Sequence, residues 1–137
     1  MRKRSITLIV AIVLTLGFLG GLALAQTAVQ AQPNWKARFA TYDRNKDGRI
    51  DREEFQQWMT DVFYLRDKDH KGYLVLEDVR GVMAPETLKA INRKGDGKLS
   101  LEEFLNATFQ DFAAIDVNHE GSITIEEIDV YIRQGRK

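Results

Sequence analysis

The sequence predicts an all-α fold, an array of helix-loop-helix units in which short helices are shared between successive loops. Two observations lead to this fold class. A twelve-residue acidic segment with glycine at its sixth position starts at residues 43, 67, 92 and 116, that is, every 24 or 25 residues. Apolar residues recur at helical spacing between these segments. A fixed period of this length is typical of an array built from one supersecondary unit.

The first segment, loop one, covers residues 43–54 and offers oxygen atoms at positions 1, 3, 5, 9 and 12. Position 7 adds its backbone carbonyl, and the glycine at position 6 permits the positive φ of a sharp turn. Such a set suits Ca²⁺, a hard cation that takes roughly 6–8 oxygen ligands. The predicted ligands are Asp43, Asn45, Asp47, Arg49 through its carbonyl, Asp51 and Glu54.

Loop four, residues 116–127, also has an oxygen atom at every ligand position. Glu120 at position 5 is one methylene longer than the usual aspartate. We therefore expect this loop to bind calcium as well. Its predicted ligands are Asp116, Asn118, Glu120, Ser122 through its carbonyl, Thr124 and Glu127.

Loops two and three, residues 67–78 and 92–103, are weaker candidates. Loop two has Lys71 at position 5, and the positive charge of an ammonium group among the ligands repels a metal cation. Loop three has Lys94 at position 3. The alternative for both is a structural role in which only the loop shape is kept. The remaining candidate ligands are Asp67, Asp69, Tyr73 and Asp78 in loop two and Asn92, Asp96, Lys98, Ser100 and Glu103 in loop three.

Over residues 35–133 the chain resembles the EF-hand superfamily, as in calmodulin-like proteins and small secreted bacterial EF-hand proteins. The resemblance rests on loops one and four and on flanking aromatic residues, namely Trp35, Phe39, Tyr42, Phe55 and Trp58. It implies an all-α calcium-binding module. One departure is that a single helix, residues 55–66, separates the first two loops. Calmodulin-like pairs have an exit helix, a linker and an entry helix there.

The shared helix has an apolar stripe, formed by Phe55, Trp58, Met59, Val62 and Phe63, that predicts a core face. A similar pattern, Leu105, Phe109 and Phe112, lies between loops three and four.

Each loop also has an apolar residue at position 8, which we expect to pair with its counterpart in another loop as a short antiparallel bridge. These residues are Ile50, Leu74, Leu99 and Ile123. The shared helix holds loops one and two apart, which favours pairing of loop one with three and of two with four. A break near Thr60 would instead allow neighbouring loops to pair. Pro85 predicts a kink that divides the chain into two loop pairs.

The first 25 residues predict a signal peptide. Arg2, Lys3 and Arg4 precede an apolar stretch, and Ala23-Leu24-Ala25 forms a small-x-small cleavage site. The alternative is a retained membrane anchor, since residues 6–25 are long enough to span a bilayer. Both predict an extracytoplasmic location, in the periplasm or outside the cell, for residues 35–137, which follow a flexible linker at residues 26–34.

Composition excludes several other classes of function. The chain has no cysteine, which excludes disulfides and thiolate zinc sites. Without residues 1–25 it has 17 basic and 20 acidic residues, a net charge of −3 that argues against nucleic acid as a partner. His70 and His119 both lie at loop position 4 and are expected to face solvent. We therefore expect no catalysis.

Two functional hypotheses remain. The first is a calcium-responsive adaptor or regulatory module that exposes an apolar surface to an unidentified protein partner. The second is a structural or buffering protein that calcium stabilises without such opening. Membrane contact would be limited to residues 6–25.

Overall fold

The computed structural model describes residues 35–135, and it describes the side chains of residues 36–134. The predicted signal peptide and linker, residues 1–34, lie outside this range. The described chain forms five helices and four short strands. They are α1 (Trp35–Tyr42), β1 (Arg49–Asp51), α2 (Arg52–Arg66), β2 (Tyr73–Leu74), α3 (Pro85–Ile91), β3 (Leu99–Ser100), α4 (Leu101–Ile115), β4 (Ser122–Thr124) and α5 (Ile125–Gly135). The predicted fold class is confirmed as mostly helical.

Helices α2 and α4 begin directly after a loop strand because loop positions 9 and 12 form a capping box. Asp51 accepts hydrogen bonds from the backbone N–H groups of Glu53 and Glu54, and the Glu54 carboxylate accepts one from the N–H of Asp51. Ser100 and Glu103 form the same reciprocal pair at the start of α4. These contacts satisfy N–H groups that a helix N-terminus otherwise leaves without partners.

Loop two lacks this cap, because Val75 at position 9 has no side-chain acceptor. A series of turns covers residues 76–82 in place of an exit helix, and the next helix starts only at Pro85. Ala84 before it has extended backbone angles, φ −69° and ψ 146°, as expected for a residue that precedes proline. The predicted break is therefore present at Pro85.

Helices α2 and α4 pack against each other in antiparallel orientation. Phe55, near the start of α2, lies 4.9 Å from Phe112, near the end of α4, between ring centroids. At the other end of the pair, Phe63 lies 5.6 Å from Phe104. The predicted stripe on α2 is fully buried. On α4 the stripe is shifted, because Phe104 and Phe112 are buried whereas Leu105 and Phe109 are only partly buried.

The predicted loop pairing was wrong. Strand β1 pairs with β4, which places Ile50 opposite Ile123, and β2 pairs with β3, which places Leu74 opposite Leu99. Loops one and two do lie at opposite ends of the unbroken helix α2. Loops three and four lie likewise at opposite ends of α4, and the antiparallel packing brings loop four beside loop one. The Pro85 break therefore does not divide the chain into two loop pairs, since loops two and three pair across it.

Position 8 has the predicted role in all four loops, since its residues form the bridges and are at most 1% exposed. The two bridges lie at opposite ends of the packed helices α2 and α4, and their position 8 residues form part of the core there. Among helices of residues 35–135, none is long and apolar enough to cross a membrane.

Candidate metal centres

Loops one, two and four are folded around their first side chain, an aspartate that accepts the N–H groups of positions 5 and 6. In loop one the Asp43 carboxylate accepts hydrogen bonds from the N–H groups of Asp47, at 3.1 Å, and Gly48, at 3.0 Å. In loop four Asp116 accepts the equivalent bonds from Glu120, at 3.1 Å, and Gly121, at 3.0 Å. Position 1 is thereby held inside the turn by backbone N–H groups of positions 5 and 6.

The tight turn uses two left-handed residues per loop, and the sequence interpretation identified only one. Glycine at position 6 has the predicted positive φ, for example 79° at Gly48. Position 4 is also left-handed, with φ of 58° at Lys46, 53° at His70 and 57° at His119. Both histidines are exposed, as predicted. The sequence did contain signals for the second left-handed position, since histidine is enriched at positive φ and position 4 of loop three is a glycine, Gly95, with φ 67°.

Loop one has a donor set that fits calcium. Asn45 and Asp47 each accept one loop N–H, from Asp47 and Arg49 respectively, at 2.9 Å. Glu54, which is 7% exposed, accepts N–H groups of Arg44 at 2.8 Å and Asp51 at 3.1 Å. An ionised carboxylate has about four acceptor positions. These backbone contacts therefore leave oxygen lone pairs available for an ion.

Loop four provides the clearest indication of a ligand. The Oε2 atom of Glu127 accepts hydrogen bonds from the Thr124 N–H at 2.9 Å and the Thr124 hydroxyl at 3.1 Å. Its Oε1 atom is buried and has no hydrogen-bond partner among the described residues. A buried carboxylate oxygen without a partner is costly. Because Glu127 is at position 12, where EF-hand loops supply a bidentate ligand, calcium would provide the missing partner.

Loops one and four are linked by an ion pair that the sequence interpretation missed. The Arg49 guanidinium, at position 7 of loop one, contacts the Glu120 carboxylate at position 5 of loop four. Its Nη1 atom also lies 3.4 Å from the Ser122 hydroxyl. Arg49 was predicted only as a carbonyl ligand. Its side chain instead engages a predicted ligand of the paired loop, a contact that could be found only once the loop pairing was known.

Loop two contains an ammonium group among its carboxylates. The Lys71 Nζ atom lies 3.3 Å from Asp69, 3.2 Å from Asp78 and 3.8 Å from Asp67. Burial lowers the pKa of Lys71, but its hydrogen bonds to Asp78 and Asp69 outweigh burial and leave the pKa raised. Burial acts to raise the pKa of Asp67, yet the N–H groups of Gly72 and Lys71 and the ammonium group leave it lowered. Both groups therefore stay charged at neutral pH.

Loop three has fewer acidic ligands. Its first residue, Asn92, accepts the Gly95 N–H at 3.1 Å, and Asp96 accepts the Lys98 N–H at 2.9 Å. Glu103 accepts the N–H and hydroxyl of Ser100, and these bonds lower the Glu103 pKa. The remaining predicted residues, Tyr73 and Lys98, form a contact of their own. The Lys98 ammonium lies 4.9 Å from the centroid of the Tyr73 ring.

Within residues 35–135, no three acidic, histidine or cysteine side chains converge closely enough to form a metal centre. The carboxylates of loop one are instead held by backbone N–H groups around the turn. Ion binding in loop one therefore requires them to shift from these partners toward a common point.

Comparison with protein families agrees with this geometry. Residues 33–109 match the family model of an EF-hand domain pair. The chain belongs to the EF-hand family. A second EF-hand model matches residues 109–129, which include loop four. No curated protein matches the chain significantly. The EF-hand assignment implies calcium as the ligand and accounts for the acidic loops, their glycines and the paired position 8 residues.

Proposed function

We propose that this EF-hand chain binds two calcium ions, one in loop one and one in loop four, and that it works outside the cytoplasm as a calcium-responsive adaptor or regulatory module. The observation that carries calcium binding is the buried Oε1 atom of Glu127 without a partner, in a loop with oxygen atoms at every ligand position. Loop one has an equally complete ligand set. The chain as a whole is proposed to contain four EF-hand repeats.

Calcium, when bound, would supply positive charge to loops that concentrate carboxylates. Asp43 and Glu54 in loop one, like Asp116 and Glu127 in loop four, come from opposite ends of each loop and would hold the ion between them. Because β1 and β4 are hydrogen-bonded neighbours, a shift in one loop is transmitted to the other through the backbone. The two ions would therefore act on the same pair of hydrogen-bonded loops.

The adaptor role is supported by an apolar cavity of about 150 Å³ beside loop four. Its lining includes Glu127 together with Val117 and Val130, which are 67% and 48% exposed. Exposed apolar residues next to a cavity are typical of binding surfaces. Since a calcium ligand forms part of the wall, ion binding would act directly on this surface.

A structural or buffering role is the second candidate. After residue 25 the only methionines are Met59 and Met83, and both are buried. Residues 36–134, whose side chains the structure describes, therefore present no exposed methionine surface of the kind that allows sensors to accept many partners. A dye that fluoresces on apolar surfaces separates the two roles. Dye binding that rises with calcium supports the adaptor, and no change supports the structural role.

The extracytoplasmic location rests on the sequence of residues 1–25. The same residues leave open whether the chain is released or retained as an anchored protein. Mass spectrometry of the chain from cells answers this, because cleavage at the predicted site yields a chain that begins at Gln26. The proposed role is binding rather than catalysis, and no residue is assigned to acid-base chemistry.

The proposed calcium sites are tested by isothermal titration of the chain and of Glu54→Gln and Glu127→Gln variants. We expect two ions per wild-type chain, with Kd on the order of 10⁻⁵ to 10⁻³ M, as in extracellular modules. Each variant should lose one site, because an amide cannot supply a charged bidentate ligand. Glu53→Gln and Glu126→Gln, at position 11 of the same loops, are matched controls and should bind normally. A stoichiometry near four, or normal binding by the Glu54→Gln, Glu127→Gln double variant, would contradict the assignment.

A further inference from the structure

We propose that loop two contains its own cation. The Lys71 ammonium group takes the place of a metal ion and holds the loop in its folded form without calcium. This inference goes beyond the proposed calcium sites, and it stands whether or not loops one and four bind calcium.

The contacts of the ammonium group carry the proposal. Its nitrogen lies 3.8 Å from the Asp67 carboxylate, 3.3 Å from that of Asp69 and 3.2 Å from that of Asp78. These residues occupy positions 1, 3 and 12, the side chains that such a loop directs at an ion. Lys71 therefore contacts acidic groups from both ends of the loop at once, as a bound cation would.

The position of the lysine is specific to loop two. Position 5 is acidic in the other three loops, where the residues are Asp47, Asp96 and Glu120. Loop three also contains a lysine among its ligand positions, but the Lys94 side chain is exposed. The Lys71 side chain is only 23% exposed. A lysine at position 5 can thus fold back over the loop, whereas the one at position 3 extends into solvent.

The burial of Asp67 explains why loop two needs the positive charge of Lys71. Asp67 is 1% exposed, and its two oxygens already accept the N–H groups of Lys71, at 2.9 Å, and Gly72, at 2.7 Å. A buried carboxylate requires a compensating positive charge as well as hydrogen bonds. With no metal needed, β2 and β3 can stay paired when calcium is absent. The two ends of the molecule would then differ: the β1–β4 end responds to calcium, and the β2–β3 end is fixed.

The first test replaces Lys71 and measures thermal unfolding of the full chain, purified in detergent, in the presence of a chelator. Lys71→Asn removes the ammonium group and supplies an oxygen at position 5. Its Tm should fall by several degrees. Lys68→Asn, at exposed position 2 of the same loop, is the matched control and should leave Tm unchanged. Lys71→Arg keeps the charge and should retain most of the stability. An unchanged Tm for Lys71→Asn overturns the proposal.

Calcium provides the second half of this test. In a chain that also carries Glu54→Gln and Glu127→Gln, loops one and four should not bind calcium. Any calcium binding or change in Tm then arises from another loop. There the Lys71→Asn variant should bind one calcium ion and recover its lost Tm, whereas the Lys71 parent should show neither effect. Calcium binding at loop two in the parent chain overturns the proposal.

A measurement on the wild-type chain avoids dependence on a variant that fails to fold. Lysine side chains are labelled with an amine-reactive reagent in chelator, and the rate at each site is read by peptide mass spectrometry. Lys71 should react at least several-fold more slowly than Lys68, because its nitrogen is held by three carboxylates. Equal rates at Lys71 and Lys68 would show that the ammonium group is free, and the proposal would fail.

Discussion

The carboxylate at loop position 12 meets different partners in different loops. Glu54 binds backbone N–H groups through both oxygens, Asp78 binds the Lys71 ammonium, and Glu127 has one buried oxygen without a partner. The same position therefore caps a helix in loop one, forms an ion pair in loop two and is a proposed metal ligand in loop four. Position 5 explains the ion pair of loop two, because Lys71 stands there, whereas Asp47 and Glu120 are acidic and provide no ammonium group in loops one and four.

Arg49 is expected to weaken calcium binding in loop four, because its guanidinium occupies the Glu120 carboxylate. Arg49→Gln should therefore lower the calcium Kd of loop four. An exposed ion pair contributes about 0.2–1 kcal/mol, which corresponds to a change of up to about fivefold. The measurement is calcium titration in the Glu54→Gln background, where loop four is the remaining proposed site.

The matched control for this prediction is Arg44→Gln. It removes the same charge from loop one at position 2, where the side chain is exposed. If the loss of one positive charge acted only at long range, it would change the calcium Kd of loop four equally in both variants. Equal Kd values for the two variants would therefore contradict a specific effect of the contact with Glu120.

At the scale of elements, the spacing of positions 9 and 12 serves two purposes. In loops one, three and four it places two oxygen-bearing side chains that are predicted ligands, and in loops one and three these side chains form the capping box that starts the following helix. Loop two shows the consequence of losing this box. Val75 replaces the capping residue, and turns follow in place of a helix. The helix after a loop is thus set by the same residues that would hold an ion.

Ser100→Ala separates capping from calcium binding, because loop three is not a proposed calcium site. Loss of an N-cap costs about 0.5–2 kcal/mol of unfolding free energy. The loss should be the same in chelator and in calcium, as measured by urea unfolding. Ser122→Ala, at position 7 of loop four, removes a hydroxyl that caps no helix and serves as the control. A loss that appears only in calcium would instead place an ion in loop three.

The Ser100 variant should also have a defined pH dependence. Ser100 lowers the pKa of Glu103 in the folded chain below its ordinary value of 4.5. A lowered folded pKa stabilises the protein above the ordinary pKa, and this contribution disappears as the pH falls through the folded pKa. The stability difference between wild type and Ser100→Ala should therefore be largest at neutral pH and should shrink in acid.

At the scale of the whole molecule, the sequence predicted local features better than long-range ones. The loops, the apolar bridge residues such as Ile50, and the break at Pro85 follow from patterns within a few residues. The loop pairing does not, because it depends on whether α2 and α4 pack parallel or antiparallel. Both orientations bury the same apolar stripes. The contacts of Arg49 with Glu120 and of Lys71 with three carboxylates depend on side-chain placement, which residue types alone do not determine.

Calcium and folding should be linked across the whole molecule, since the ions would bind at the end where α2 and α4 are joined by β1 and β4. A ligand that binds only the folded state adds about 2.7 kcal/mol per site at a hundredfold excess over Kd. Two sites would add about 5 kcal/mol, which is comparable with the total stability of many domains, ~5–15 kcal/mol. We therefore expect Tm to rise markedly between chelator and millimolar calcium, with the larger share from loop one, where five carboxylates are crowded together.

Trp58 provides an independent signal for the same event. It is buried on α2, four residues after Glu54, and its ring stacks on Tyr42 at 5.2 Å between centroids. A shift of loop one should reach both rings, because Tyr42 precedes the loop and Trp58 follows it. Its emission should change with calcium in wild type and in Glu127→Gln but much less in Glu54→Gln. If neither Tm nor emission responds to calcium, the chain is an EF-hand scaffold that keeps its fold without metal. In that case the contacts of the Lys71 ammonium group with the loop two carboxylates show how such a loop is stabilised without an ion.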